Sequence, residues 1–173
     1  DYAKDVVRHF LSAQKEDGRI DLKPGPAKQR SQMMATPLLA RMAWRVYMAT
    51  GDEDFIKEVL PGLFKFLRRW TRPDMDSNSD GLPEWQDERQ TGYINWPSFI
   101  TGESWSQGAD IRYMETPSMA AHMLSETRHL REMTALTGDK IAVASLNERY
   151  DILDKMLEEL YIDGRYQYLD RDT

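Results

Sequence analysis

The stretch Asp74 to Trp85, DMDSNSDGLPEW, carries the side chains best spaced to do chemistry. Asp76, Asn78 and Asp80 stand at alternate positions and Gly81 follows, matching the opening half of a calcium-binding loop, D-x-[DN]-x-[DN]-G. A hard cation needs several oxygens converging on one point, and alternate side chains of a tight turn supply them, with glycine permitting the sharp reversal. In that register Leu82 offers a backbone carbonyl and Glu84 a further carboxylate. The twelfth position holds Asp87 where an EF-hand has a bidentate glutamate, and Pro83 with the polar run after it starts no second helix cleanly. The competing reading is a solvated turn, for which Asp, Asn, Ser and Gly are common. Four matches at correct spacing, with Glu84, favour calcium, and Glu115 is the candidate outer ligand because it sits just before a proline-led helix.

Further along the same connection stand the carboxylates Asp87, Glu88, Glu103, Asp110 and Glu115 and the aromatics Trp85, Tyr93, Trp96, Phe99 and Trp105. Disordered segments are poor in aromatics, so this is no simple insertion. Among the acids, Asp110 in QGADIRYMETP is the first choice for a proton donor or a hydroxyl ligand. Each carboxylate taken singly also reads as a solvent-exposed charge. His122 and His129 have no further His and no Cys nearby to complete a zinc set, and read as surface or packing residues.

The elements that must position these residues follow a helical period. A first amphipathic segment runs to about Gln14, and a second is expected from Thr36-Pro37, as N-cap and first-turn proline, to Gly51. Asp52 can cap a third, through Phe55, Val59, Leu63 and Trp70, with Pro61 expected to kink or interrupt it. Thr116-Pro117 repeats the opening, and Thr137-Gly138-Asp139 repeats Thr50-Gly51-Asp52 as stop and restart. Asp-Gly loops recur at Asp17-Gly18, Asp80-Gly81 and Asp163-Gly164. Repeated helix pairs that cannot bury their apolar faces alone must stack on neighbours, in a solenoid or a closed ring. A connection from Thr71 to Glu115, aromatic and acidic, fits a ring with a pocket better than a solenoid with brief loops. The fold class is all-α, and residues 1–173 read as one partial toroid domain belonging to a larger protein.

Composition narrows the function classes. The chain has 173 residues and net charge −6, with no clustered basic stripe, which argues against a nucleic-acid partner. No apolar run approaches the roughly 20 residues that cross a bilayer. Without cysteine there is no thiol nucleophile and no thiolate metal site.

Read in order, TPLLARMAWRVYMATGD, FLRRW, DSNSDGLPEW, TGYINWP and ETPSMAAHML resemble the six-hairpin (α/α) toroid glycosidases, in the mannosyl-oligosaccharide glucosidase and trehalase-like branch. The resemblance implies about half of such a toroid, closed by the rest of the same protein. It implies a structural Ca2+ held through Asp76, Asn78, Asp80 and Glu84, and a sugar pocket lined by Trp85, Tyr93, Trp96 and Trp105. It further implies hydrolysis of α-glucosides or related oligosaccharides with inversion, by an acid that protonates the glycosidic oxygen and a base that activates water. Relatives place the acid in a segment like S-G-x-D-N-x-P. Here Thr91 to Pro97 reads TGYINWP, so Ile94 and Asn95 supply no acid there. The base is expected outside this chain. The alternatives are a sugar-binding relative that kept the calcium loop without turnover, and a helical scaffold for protein contacts.

Overall fold

Residues 1–25, 31–92 and 111–170 are described in a computed structural model. Five helices account for most of them: α1 (Tyr2–Ser12), α2 (Leu39–Thr50), α3 (Glu53–Trp70), α4 (Pro117–Thr137) and α5 (Lys140–Glu159). The stop-and-restart signals operate as read. Gly51 and Gly138 close α2 and α4 with left-handed backbone, a conformation that glycine adopts without a Cβ penalty. Asp52, Thr116 and Asp139 each accept a backbone N–H from the first turn of the helix they open. α3 runs unbroken through Pro61, which lies on the exposed face, where the carbonyl left unbonded can meet water.

Two boundaries differ from expectation. α1 ends at Ser12, two residues early. α2 begins at Leu39, and Leu38 in its N-cap position contributes no side-chain bond. Thr36 is not the cap, because the helix starts three residues beyond it; its hydroxyl instead donates to the Gln90 carbonyl at 2.7 Å. The free amides of α2 are met by Glu126 of α4, whose carboxylate accepts from Ala40 N at 2.7 Å and Arg41 N at 3.3 Å. A carboxylate at the positive end of a helix is favoured by the macrodipole as well as by the hydrogen bonds.

The helices pack as hairpins, α2 with α3 and α4 with α5. α1 lies against both α2 and α3, while α4 touches α2, α3 and α5. Such a position explains why α4 buries residues around much of its circumference, from Met119 and Met123 to Leu130 and Thr134. α5 has one neighbouring layer and buries only Leu146 and Leu153 within the helix. Short strands complete the chain. β1 (Met114–Glu115) pairs antiparallel with β4 (Leu169–Asp170), and β2 (Tyr161–Ile162) with β3 (Arg165–Tyr166). Asp163 and Gly164 both have positive φ, the two-residue hairpin turn that Asp-Gly favours. Among the described residues, no helix is long and apolar enough to cross a membrane.

Candidate functional site

The acidic loop is fixed at its root by an ion pair. Arg69, buried at the end of α3, reaches both carboxylate oxygens of Asp74 at 2.9 and 2.7 Å. The next residues form a 3-10 turn, Pro73–Met75, and the Met75 side chain enters the core. From there the loop closes on its own polar groups. Asp76 accepts from Asp80 N at 3.2 Å and Gly81 N at 2.9 Å, and Asp80 accepts from Leu82 N at 2.8 Å. Ser79 and Gly81 take positive φ to make the reversal, which is where the loop needs its glycine.

Asn78 joins this loop to the far end of the long connection. Its amide donates to Asp80 Oδ2 and to Glu115 Oε1, each at 2.9 Å. Glu115, 37 residues away in sequence and buried, therefore sits at the loop. Glu84 does not join it. Its buried carboxylate faces the Ser77 amide and hydroxyl at 3.0 to 3.2 Å. Burial pushes the Glu84 carboxyl above its ordinary range; the Ser77 bonds pull the other way, and nearby Asp76 adds to the rise. Leu82 buries its side chain in the core. Arg149 reaches across from α5 to the Gly81 carbonyl at 3.4 Å.

As a test of fit, the donors Asp76, Asn78, Asp80 and Glu115 are the hard oxygens that calcium takes. Asn78 already holds two of the others, Asp80 and Glu115, through its Nδ2, so its amide would have to turn over to offer its oxygen to a cation. No three acidic or imidazole side chains converge as a finished cation site among the described residues. Glu84 would have to leave Ser77 to become a ligand.

Trp85 is in a different place from the pocket mouth that the sequence suggested. It is wholly buried, edge-to-face with Trp70 at 6.0 Å between ring centroids and with His122 at 5.7 Å. Its indole N–H donates to Ser118 Oγ at 3.2 Å, and that of Trp70 to the Ala35 carbonyl at 3.2 Å. The tryptophan packs the loop onto α3 and α4; it presents no free face to a sugar. Linear spacing gave no warning, because a loop residue has no period that marks an inside.

Beyond Trp85 the chain is hooked down by Gln90. Its side-chain oxygen accepts from Gln86 N and Asp87 N, and its amide donates to the Met34 carbonyl at 2.8 Å. With the Thr36–Gln90 bond this ties the loop to the segment preceding α2. Sequence reasoning missed both Gln90 and Glu126; Gln90 had a local signal, the Asp87-x-x-Gln90 capping box of the 3-10 turn Glu88–Gln90, while Glu126 had none, and each also makes a contact more than fifty residues away. Tyr93, Trp96, Trp105 and Asp110, the remaining candidates, lie outside the described residues.

No curated protein matches the chain. A crystal structure of an uncharacterized conserved protein from Thermus thermophilus is similar, with a TM-score of 0.75 over 97% of this chain at 15% identity. At that identity the likeness carries the fold alone, and this chain spans 55% of the length of that protein. Residues 1–173 match the mannosylglycerate hydrolase MGH1-like glycoside hydrolase domain throughout. The helical-hairpin fold and the end-to-end match agree: this chain belongs to the MGH1-like glycoside hydrolase family.

Proposed function

We propose that residues 1–173 form one partial (α/α) toroid domain of a glycoside hydrolase acting on an α-linked glucoside, mannoside or related oligosaccharide. The family match over the whole chain carries this reading. The chemistry is two-carboxylate hydrolysis with inversion, the acid and base standing roughly 6.5–9.5 Å apart to admit a water. Asp110 is the candidate acid on this chain, and the base comes from the rest of the toroid. The decisive assay uses the complete toroid with 4-nitrophenyl α-glucoside, the matching α-mannoside and mannosylglycerate, following the anomer released by NMR. Hydrolysis of one of them, lost by at least about a hundredfold in Asp110→Asn as removal of a general acid requires, is the expected result. An active Asp110→Asn protein would remove the residue from the mechanism, and silence toward every glycoside would remove the activity.

A second reading, a sugar-binding relative without turnover, is favoured by Ile94 and Asn95 at the usual acid position. It predicts that the complete protein binds these glycosides without cleaving them, and that Ile94→Asp or Asn95→Asp creates measurable hydrolysis.

We also propose that the acidic loop takes a structural calcium through Asp76, Asn78, Asp80, Glu115 and the Leu82 carbonyl, with Glu84 free to exchange its Ser77 bonds for the ion. The ion would brace the start of the long connection against its end. Calcium at about a hundred times its dissociation constant should add roughly 2.7 kcal/mol to stability. A protein of this size should then melt about 5–10 °C higher. EGTA should reverse the shift, and Asp80→Ala should abolish it. An unchanged melting curve at millimolar calcium would show that the hydrogen bonds alone close the loop.

A further inference from the structure

Arg149 ties the acidic loop to the second helical hairpin. It stands half-buried in the middle of α5, and its Nη2 reaches the Gly81 carbonyl at 3.4 Å, across 68 residues of sequence. The loop charge that acts on it is Asp76: burial lowers the Arg149 pKa, and Asp76 opposes that change. The guanidinium stays protonated, because arginine does not give up its proton in proteins.

The place of this cation matters because of what the turn gathers. Asp76, Asp80 and Glu115 bring three carboxylates to one reversal of the chain. Like charges held together repel. Within the chain that repulsion is offset by donors: the Asp80, Gly81 and Leu82 amides, the Asn78 side chain and the Arg149 guanidinium. Of these, only Arg149 carries a full positive charge. A divalent cation entering the turn would meet that charge at the carbonyl next to Leu82. The two cations then compete for one negative field, and a unit charge kept close to the ion weakens its binding. The side chain also has somewhere to go. Arg149 lines a cleft of about 470 Å³ between α3 and α5, with Phe64, Leu67, Ser145 and Leu146 among its walls. An arginine stem packs on such apolar surface while its head turns to water.

We propose that Arg149 is the resident counter-cation of the acidic loop and sets its calcium affinity, closing the turn at low calcium and withdrawing toward the α3–α5 cleft as the ion enters. The inference rests on the calcium reading of the loop and adds to it a link between the ion and α5. The loop then responds at higher calcium than its carboxylates alone would set.

Isothermal titration of calcium into the complete protein, stripped of metal with EGTA and dialysed, tests it on the parent, Arg149→Gln, Arg149→Met and Arg149→Lys. Removing the charge should tighten calcium binding by about tenfold, the effect of one unit charge close to a divalent ion in a partly solvated site. Arg149→Gln and Arg149→Met should agree; Met keeps more of the apolar stem, so one reads the effect where the other folds poorly. Arg149→Lys keeps the charge and should stay close to the parent. A purely structural role would move all three variants together, since each loses the guanidinium fork. Added salt should narrow the gap between parent and Arg149→Gln, as screening requires. Binding that is unchanged or weaker in both Arg149→Gln and Arg149→Met, or equally tight in Arg149→Lys and Arg149→Gln, would overturn the proposal and leave the calcium site standing. No binding by any of the four proteins would overturn the calcium reading with it.

Discussion

Trp85→Ala should destabilise the protein by about 4 kcal/mol, the usual range for deleting a fully buried tryptophan, and lower its melting temperature by about 10 °C. The expectation rests on position. Trp85 is the contact between the acidic loop and two helices, meeting Trp70 of α3 on one side and His122 of α4 on the other. Removing it empties the centre of that stack and frees the Ser118 hydroxyl that its indole bonds. Trp85→Phe restores most of the ring volume without the N–H and should cost about 1–2 kcal/mol. Chemical denaturation of the three proteins measures the series. A ligand role predicts the opposite pattern, with melting nearly unchanged and sugar binding lost. That outcome would return Trp85 to the pocket.

What could be read from sequence divides by range. Signals that act within one turn of helix were legible: the Gly51 and Gly138 stops, the Asp52 and Thr116 caps and the Asp163-Gly164 reversal all operate where they stand. Each is a contest between a residue and its own neighbours, so the neighbours suffice. The Asp76–Gly81 turn belongs with them, and even the approach of Glu115 to Asn78 could be inferred, since a loop motif short of oxygens needs one from elsewhere. Illegible were the contacts that cross the fold. Thr36-Pro37 had the composition of a helix start, yet Thr36 bonds Gln90 and the helix begins later. No local signal in the sequence marks Glu126. Its value depends on α2 arriving at the same height, which no spacing within α4 encodes.

Glu126 carries the other large effect. Replacing it with Ala should cost roughly 3–4 kcal/mol, because the buried Ala40 amide and the partly buried Arg41 amide at the start of α2 lose their acceptor and a cavity opens beside them. Glu126→Gln keeps an acceptor oxygen and the volume, so its penalty should be about 1 kcal/mol, and it removes the titration. That makes pH the sharper probe. Burial drives the carboxyl up to about 7 from 4.5, against the pull of the Ala40, Arg41 and Leu39 amides. A folded-state pKa above the unfolded one means that the native protein holds the proton more tightly. The stability linked to it is complete below pH 4.5 and is lost as pH rises through 7. The whole loss amounts to about 3 kcal/mol. Wild type should therefore fall relative to Glu126→Gln between pH 5 and pH 8, so that the gap between their unfolding free energies closes or reverses. Parallel curves across that range would mean that the amides hold the carboxylate ionised throughout, and that the cap outweighs its burial. Either way the difference isolates what joins α4 to α2. That junction sets the height of the segment to which Gln90 fastens the long connection.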